Sequence, residues 1–369
     1  MHVSKLNGKC TFPLIAMLLF SLTSCTDQGT ADNPCQIDYE QVEIYRQLAD
    51  AFIIPGYTIL NERLEKLHTA AEAFSTAPSV QALDLLKSEF ESAWIQWQYV
   101  AQFNFGPAEQ VSLRGSLNPF PTQPALIHQH IEDGFWNLDA PMTYDKGYPA
   151  LDYLLYGIAG SPEEVLGYFV QHPQAGIFLT DNTNWMLEKA EFVLQEWQST
   201  YRDAFLSNTG TAAGTSLSLI VNSLNEHYEL IKREKLGIPI GIQTLGIPNP
   251  DRVEAPFSGL SLPLLQSALE ASEAYFRGLT GQGLDDYLDA AETQKNEELL
   301  SVVIKRQFQK ARQAAGNLQA PLRESILEYP EDALAAYEEM TALIPLIKTD
   351  MPSVLCVSIT YIDNPSDSD

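Results

Sequence analysis

The chain has 369 residues, a formal net charge of -26 at pH 7 and 45% hydrophobic residues. This length suits one large domain or two ordinary ones, and the composition is that of a globular protein with a buried core. The excess of 48 acidic over 22 basic residues repels phosphate backbones, which argues against a nucleic acid as the partner.

The first 24 residues have the features of an export signal. Lys5 and Lys9 precede a short apolar run that ends in the sequence Leu-Thr-Ser before Cys25. The run is too short to span a bilayer, and small residues before a cysteine are typical of a bacterial lipoprotein signal. We therefore predict a lipoprotein signal peptide at residues 1–24, lipidation of Cys25 and a flexible tether at residues 25–36. An ordinary secretory signal with an incidental cysteine is the alternative.

These N-terminal features predict where the protein resides. A lipid on Cys25 would hold it in the cell envelope of a Gram-negative bacterium, as a periplasmic or outer-membrane lipoprotein. No later apolar segment is long enough for a transmembrane helix, so the lipid is the membrane contact that the sequence predicts.

Apolar residues recur at three- and four-residue spacing along most of the remaining chain, which predicts an all-α fold. The predicted helices cover residues 37–74, 81–103, 182–206, 215–235, 262–279, 295–315 and 331–349. Pro55 and Pro345 fall inside two of these helices, where a proline bends or breaks the helix. The tryptophans at positions 94, 97, 185 and 197 lie on helix faces and are expected in the core or along a groove.

Two segments rich in proline and glycine interrupt the helical pattern, at residues 105–146 and 236–260. Long connections of this kind often carry function in a compact protein, and we expect short helices in them at most. The second segment divides the chain into two predicted helical-bundle halves, residues 37–235 and residues 261–362. Alternating residues at 357–361 predict a short extended end, and residues 363–369 are expected to be a disordered tail.

The segment from Gly147 to Gly157, GYPALDYLLYG, resembles the signature of the imelysin-like proteins. Similar motifs lie in the same order along most of the chain. They are the IPGY sequence at 54–57, the aromatic helix with Trp94 and Trp97, the NPFP sequence at 118–121, KLG at 235–237, and Glu254 with Ser258. The resemblance implies two helical-bundle halves with a cleft between them. It also implies an exported protein of a family described as metallopeptidases and associated with iron uptake, so iron or another divalent metal is the cofactor to consider.

The signature departs from the family pattern Gly-x-His-x-x-Glu at both functional positions. Pro149 stands at the histidine position and Asp152 at the glutamate position. Histidine and glutamate three residues apart share one face of a helix, as a metal site requires, whereas proline offers no lone pair. Pro149 also suits a first helical turn, and Asp152 suits the positive end of the helix dipole. We therefore expect no intact metal pair here and favour a protein without catalytic residues.

The resemblance and the loop positions together select the candidate site residues. The ligand-binding candidates are Asn118, Tyr148, Asp152, Glu254 and Ser258. The weaker candidates for a rearranged metal site are Glu109, His128 and His130. For both histidines a solvated loop position is the favoured interpretation. His227, beside an apolar helix stripe, is expected to be partly buried and hydrogen-bonded.

These observations favour a non-catalytic imelysin-like lipoprotein of the cell envelope, binding a small ligand or an envelope protein in iron or nutrient uptake. The first alternative is a metallopeptidase with a rearranged metal site. The second is a carbohydrate-binding envelope protein, although the negative charge argues against a polyanionic carbohydrate.

Two cysteines remain outside the signal and the lipidation site, one near each end of the predicted fold. Cys35 precedes the first helix and Cys356 follows the last one. The envelope permits oxidation, and chain termini often lie close together, so we predict a disulfide between these two residues. The alternative is two unpaired thiols, with Cys356 a small buried residue.

Overall fold

A computed structural model describes residues 37, 39–141, 143–279 and 281–361. The predicted signal peptide, the tether with Cys25 and Cys35, and the tail at residues 363–369 lie outside these ranges. The chain from Ile37 onward forms one compact unit.

The described chain is mostly helical, as predicted. Its α-helices are α1 (Gln41–Gln47), α2 (Ile54–Thr76), α3 (Val80–Val100), α4 (Pro107–Gln110), α5 (Leu113–Leu117), α6 (Pro124–Asp133), α7 (Gly147–Asp152), α8 (Pro162–Gln171), α9 (Pro173–Glu196), α10 (Arg202–Ser207), α11 (Ser216–Leu230), α12 (Ser261–Phe276), α13 (Leu284–Ala290), α14 (Leu300–Gly316), α15 (Leu322–Glu328), α16 (Pro330–Pro345) and α17 (Met351–Leu355). Short 3₁₀ turns at Ile242–Thr244 and Pro250–Arg252 lie in the second proline-rich segment, and a two-stranded antiparallel hairpin pairs β1 (Gln294–Lys295) with β2 (Glu298–Leu299).

Wide π-helical turns replace the breaks expected at the two helix prolines. A turn at Leu48–Ile53 joins α1 to α2 directly before Pro55, and a turn at Leu346–Asp350 follows Pro345. Proline lacks the N–H that an α-helix uses, and a turn with hydrogen bonds five residues apart accommodates the local change in the ladder. Further π-helical turns lie at Tyr153–Gly157, Trp197–Tyr201 and Ile231–Gly237. The chain thus stays helical through both prolines.

The helices before and after residues 236–260 share one hydrophobic core. Helix α2 packs on α3 and α9, while α14 packs on α16. Helix α12 packs on both α3 and α14, so it connects the two groups. The predicted division into two halves stays a prediction. The packing places segment 236–260 close to α3 and α7, which positions the site described below.

The structure corrects one local prediction and describes how the C-terminal end is held. The helix expected from residue 295 begins at Leu300, because Asn296 and Glu297 adopt positive φ angles and turn the chain into the hairpin. The end at residues 357–361 has no strand partner among the described residues. Instead, the Asn222 side chain donates to the Ser358 carbonyl oxygen (3.0 Å) and accepts from the Thr360 N–H (2.7 Å).

Candidate functional site

The signature segment forms the short helix α7, and its first residue must be glycine. Gly147 has φ +69°, and a Cβ atom there would lie 2.2 Å from the Leu117 carbonyl oxygen. Its N–H donates to Oδ1 of the buried Asn182 at 2.9 Å. Pro149 lies in the first turn, where its missing N–H costs little. The start of α7 is therefore held tightly against α5 and α9.

Asp152 ties the end of α7 to the second proline-rich segment. Its Oδ1 accepts the Ser258 N–H at 2.9 Å, and its Oδ2 accepts the Phe257 N–H at 3.1 Å. The side chain is fully buried. Burial raises the pKa of Asp152 to about 6, against the opposing effect of the hydrogen bonds from Ser258 and Phe257. Both carboxylate oxygens are thus occupied by protein donors.

Glu254 and Lys235 form a buried ion pair next to Asn118. The Lys235 ammonium contacts the Glu254 carboxylate and donates to Gln98 Oε1 at 2.9 Å. Asn118 Nδ2 donates to Glu254 Oε1 at 2.7 Å. Burial lowers the pKa of Lys235, while the charge of Glu254 opposes that change. Each charge in this pair is compensated by its partner and by amide groups.

Trp94 connects the ion pair to α7. Its ring stacks on Tyr148 with centroids 5.6 Å apart and an angle of 7° between the rings. Its Nε1–H donates to Asn118 Oδ1 at 3.2 Å, and the Tyr148 hydroxyl donates to the Ala93 carbonyl oxygen at 3.0 Å. We call this set the buried network. It consists of Trp94, Gln98, Asn118, Tyr148, Asp152, Lys235, Glu254 and Ser258.

A cavity of about 650 Å³ adjoins the buried network. Its lining includes Gln98, Asn118 and Lys235 from the network, together with side chains from α3, α5, α9 and α11 and from the segment 139–146. Of the five predicted ligand-binding residues, only Asn118 lines the cavity. The structure therefore joins the predicted residues to one another but does not place all five in one open cleft.

The cavity lining is aromatic and basic. Aromatic rings come from Trp97, Phe120, Tyr144 and Trp185, and the cations are Arg114, Lys146, Lys189 and Lys235. The acidic lining residues are Asp139 and Glu234. Four cations against two acids reverse the balance of a chain with 48 acidic and 22 basic residues. The lining thus differs in charge from the average surface of the protein.

His227 lies in this lining without a hydrogen-bond partner on either ring nitrogen. It is 4% exposed, and burial lowers the pKa of its imidazole well below the usual value, with Arg114 and Lys235 adding to the effect. The imidazole is therefore neutral at pH 7. The expectation of a hydrogen-bonded histidine was wrong, because the apolar stripe of α11 predicts burial but carries no information about partners from other segments.

Arg114 is the second lining residue with an unpaired buried atom. One of its guanidinium NH₂ groups donates to Glu226 at 3.0 Å, and its Nε–H has no partner. Sequence reasoning did not select Arg114, although it lies in the first proline-rich segment, which was predicted to be functional.

The residues proposed for a rearranged metal site do not assemble. Glu109 is exposed on α4, whereas His128 and His130 are half-buried. The two histidines lie on helix α6 and not in the solvated loop that was expected. His128 Nε2 lies 2.6 Å from the Tyr153 hydroxyl oxygen, and His130 Nε2–H donates to Asp145 at 2.8 Å.

Across the described ranges, no group of three or more His, Cys, Asp or Glu side chains is arranged to hold a metal ion. At the signature itself, Pro149 offers no donor and both oxygens of Asp152 already accept N–H groups. The residues at the signature do not fit the metal that the family name implies.

Cys356 is disulfide-bonded. Its predicted partner, Cys35, lies outside the described residues, so the pairing of these two cysteines stays a prediction.

The fold and the cavity define a mostly helical protein with a cavity beside its signature helix that is lined by aromatic rings. The chain belongs to the imelysin family, Peptidase M75, whose family model matches residues 53–348. It is 24% identical over 320 residues to iron-regulated protein A of Synechococcus elongatus, covering 81% of this chain and 82% of that protein.

Two solved structures share the fold. One is a protein of Parabacteroides distasonis provisionally named as an iron-regulated protein A precursor, with a TM-score of 0.68 and 17% identity over 85% of this chain and 94% of that one. The other is an imelysin-like protein of Psychrobacter arcticum, with a TM-score of 0.69 and 16% identity over 88% of this chain and 98% of that one. None of the helices in the described ranges is long and apolar enough to cross a membrane.

Proposed function

We propose that this protein is a non-catalytic lipoprotein of the cell envelope that binds a small organic molecule in the cavity beside α7. Removal of residues 1–24 and lipidation of Cys25 would anchor it to the membrane. The binding would serve the uptake of iron or another nutrient, a role supported by the similarity to a protein named for its regulation by iron.

One observation carries the proposal: the unpaired buried polar atoms of the cavity lining all belong to Arg114 and His227, whereas no residue of the buried network has one. Each oxygen of the Asp152 carboxylate accepts one backbone N–H group, so Asp152 holds the loop at residues 257–258 in place. His227 and Arg114 Nε, in contrast, are buried without partners in the cavity wall. Unpaired buried polar groups cost free energy, and a ligand that pairs them recovers that cost on binding.

The cavity can be filled at Gly115 without disturbing the backbone. Gly115 lines the cavity, and a Cβ atom there would meet no atom within 4 Å. Gly316, at the end of α14, is equally open and does not line the cavity, so Gly316→Trp is the matched control for Gly115→Trp. The purified proteins are dialysed against a metabolite extract of the source bacterium, and the retained molecules are identified by mass spectrometry.

We expect the wild type and Gly316→Trp to retain the same small molecule and Gly115→Trp to lose it. Retention of identical molecules by all three proteins, or of none by the wild type, would contradict binding in the cavity. Peptide hydrolysis by zinc- or iron-loaded wild type that Asp152→Ala abolishes would establish the metallopeptidase alternative instead.

The lipid anchor has a separate test. Cys25→Ser removes the predicted acylation site and leaves the folded part unchanged. We expect the wild type in the membrane fraction of the source bacterium and the variant in the periplasmic extract. Equal membrane association of both proteins would argue against the anchor.

A further inference from the structure

We infer that the cavity binds an organic anion that carries a ring, and that Arg114 and His227 receive its anionic group. This inference rests on the proposed function, because it specifies the class of ligand for the same cavity. It depends on the kinds of atoms left unpaired in the wall, on their charge and on the aromatic surface around them.

The unpaired buried atoms of the lining are all nitrogens. They are Arg114 Nε, His227 Nδ1 and His227 Nε2. An arginine Nε–H only donates, and a neutral imidazole donates through one nitrogen. No lining carboxylate has an unpaired buried oxygen. A ligand must therefore bring an acceptor, and a charged donor binds a charged acceptor about twice as strongly as a neutral one.

Lys146 is a further buried cation of the wall. It is 5% exposed, and its ammonium donates to the carbonyl oxygens of Leu138 (2.7 Å) and Ala140 (2.6 Å). Lys189 pairs with Asp139, Arg114 with Glu226 and Lys235 with Glu254, while Glu234 pairs with Arg233. These four pairs cancel, and the buried Asp145 carboxylate opposes the charge of Lys146. The preference for an anion therefore rests on the unpaired N–H groups of Arg114 and His227, because a bare metal cation accepts no hydrogen bond.

Aromatic side chains supply the apolar part of the site. Trp97, Phe120 and Trp185 line the cavity, and the ammonium groups of Lys146 and Lys189 lie 5.1 and 5.2 Å from the centre of the Trp185 ring. Rings prefer offset or edge-on contacts with other rings, so a planar ligand is better matched than an aliphatic chain. A cavity of 650 Å³ is of the size that holds a drug-sized molecule.

The charge preference can be measured with two fluorescent probes that share one ring system. Anilinonaphthalene sulfonate (ANS) carries a sulfonate, and N-phenylnaphthylamine (NPN) is its neutral counterpart. We expect the wild type to bind ANS at least about tenfold more tightly than NPN, although the chain as a whole repels anions. Gly115→Trp should abolish the binding of both probes, which locates them in the cavity.

Two variants test whether the cations Arg114 and Lys189 contribute to the binding of the anionic probe. Arg114→Gln and Lys189→Gln remove one lining cation each. Both variants are expected to bind ANS more weakly than the wild type, and Arg114→Gln by about tenfold. The affinity of either variant for NPN should change less than about twofold. Lys189 is partly exposed and its partner Asp139 is 71% exposed, so Lys189→Gln leaves no buried charge unpaired. Arg323→Gln, which removes an exposed arginine outside the cavity, is the control and should change neither affinity.

The outcomes separate the inference from the proposed function. Equal affinities for ANS and NPN that Gly115→Trp abolishes would overturn the anion preference and leave a ligand-binding cavity. Loss of the ANS preference in Arg323→Gln as well as in Arg114→Gln would also overturn the assignment of Arg114. Binding of neither probe would contradict both the inference and the proposed cavity site.

Discussion

The buried network and the cavity wall share Gln98, Asn118 and Lys235, yet the network and the rest of the wall differ in how completely their polar atoms are paired. In the network, Asp152 accepts two N–H groups and Glu254 is paired with Lys235 and Asn118. In the wall, His227 has no partner on either nitrogen. We infer that the residues of the degenerate signature stabilise the fold, while Arg114 and His227 in the neighbouring wall are available to a ligand. Substitutions in the two regions should therefore have opposite effects on stability and binding.

The largest expected effect is in the ion pair of the network. Glu254→Ala leaves the Lys235 ammonium buried without its carboxylate, and we expect it to lower the free energy of unfolding by roughly 3–5 kcal/mol. Denaturant unfolding measures the change. Asp251→Ala removes the exposed partner of Arg323 and should cost less than about 1 kcal/mol. Similar losses in both variants would show that the Glu254 pair is not a special part of the fold.

The next effect concerns the pH dependence of stability. Because folding raises the pKa of Asp152 from 3.8 to about 6, its contribution to stability is present in full below pH 3.8 and is lost as the pH rises through 6. Between pH 4 and pH 7, the free energy of unfolding of the wild type relative to Asp152→Asn should fall by about 2 kcal/mol. A difference between the two proteins that does not vary with pH would mean that Asp152 titrates normally.

A smaller effect is expected at the stacked ring of the network. Tyr148→Phe removes the hydroxyl that donates to the Ala93 carbonyl oxygen and should lower the free energy of unfolding by about 1 kcal/mol. Tyr329→Phe, on the exposed side of the fold, is the control and should have no effect. Equal stabilities of wild type and Tyr148→Phe would show that this hydrogen bond does not contribute to the free energy of unfolding.

The smallest expected effect has the opposite sign. His227→Leu replaces a buried imidazole whose nitrogens are unpaired, so the free energy of unfolding should stay unchanged or rise by up to about 1 kcal/mol. Thermal and denaturant unfolding both report the change. If His227→Leu lowered the free energy of unfolding as much as Glu254→Ala, His227 would be paired in solution. The network and the wall would then not differ in the pairing of their polar atoms.

The sequence was sufficient for the helices because their apolar spacing is a local property. Helix α3 was predicted at residues 81–103 and lies at Val80–Val100, and the proline-rich segments contain short helices and turns as expected. The hairpin at 294–299 was missed because its strands have two residues each, too few for a period-two pattern. Asn296, which adopts a positive φ in the turn, was the one residue that could have indicated a hairpin here.

Site residues could be predicted from the sequence only where they belong to a family motif. Asp152, Glu254 and Ser258 came from family motifs, and the structure connects them. Arg114 and Lys146 lie far apart in the first proline-rich segment and Lys189 lies on α9, and each alone is an ordinary charged residue. Whether a nitrogen atom of His227 finds a partner depends on tertiary packing, which the sequence pattern of α11 does not encode.

A crystal structure of the wild-type protein with ANS tests the central contrast most directly. We expect the probe in the cavity, with a sulfonate oxygen within about 3.2 Å of Arg114 Nε or of a His227 ring nitrogen, and with the hydrogen bonds of Asp152 unchanged. A probe bound outside the cavity, or one whose sulfonate displaces the loop at residues 257–258 to reach α7, would contradict the account.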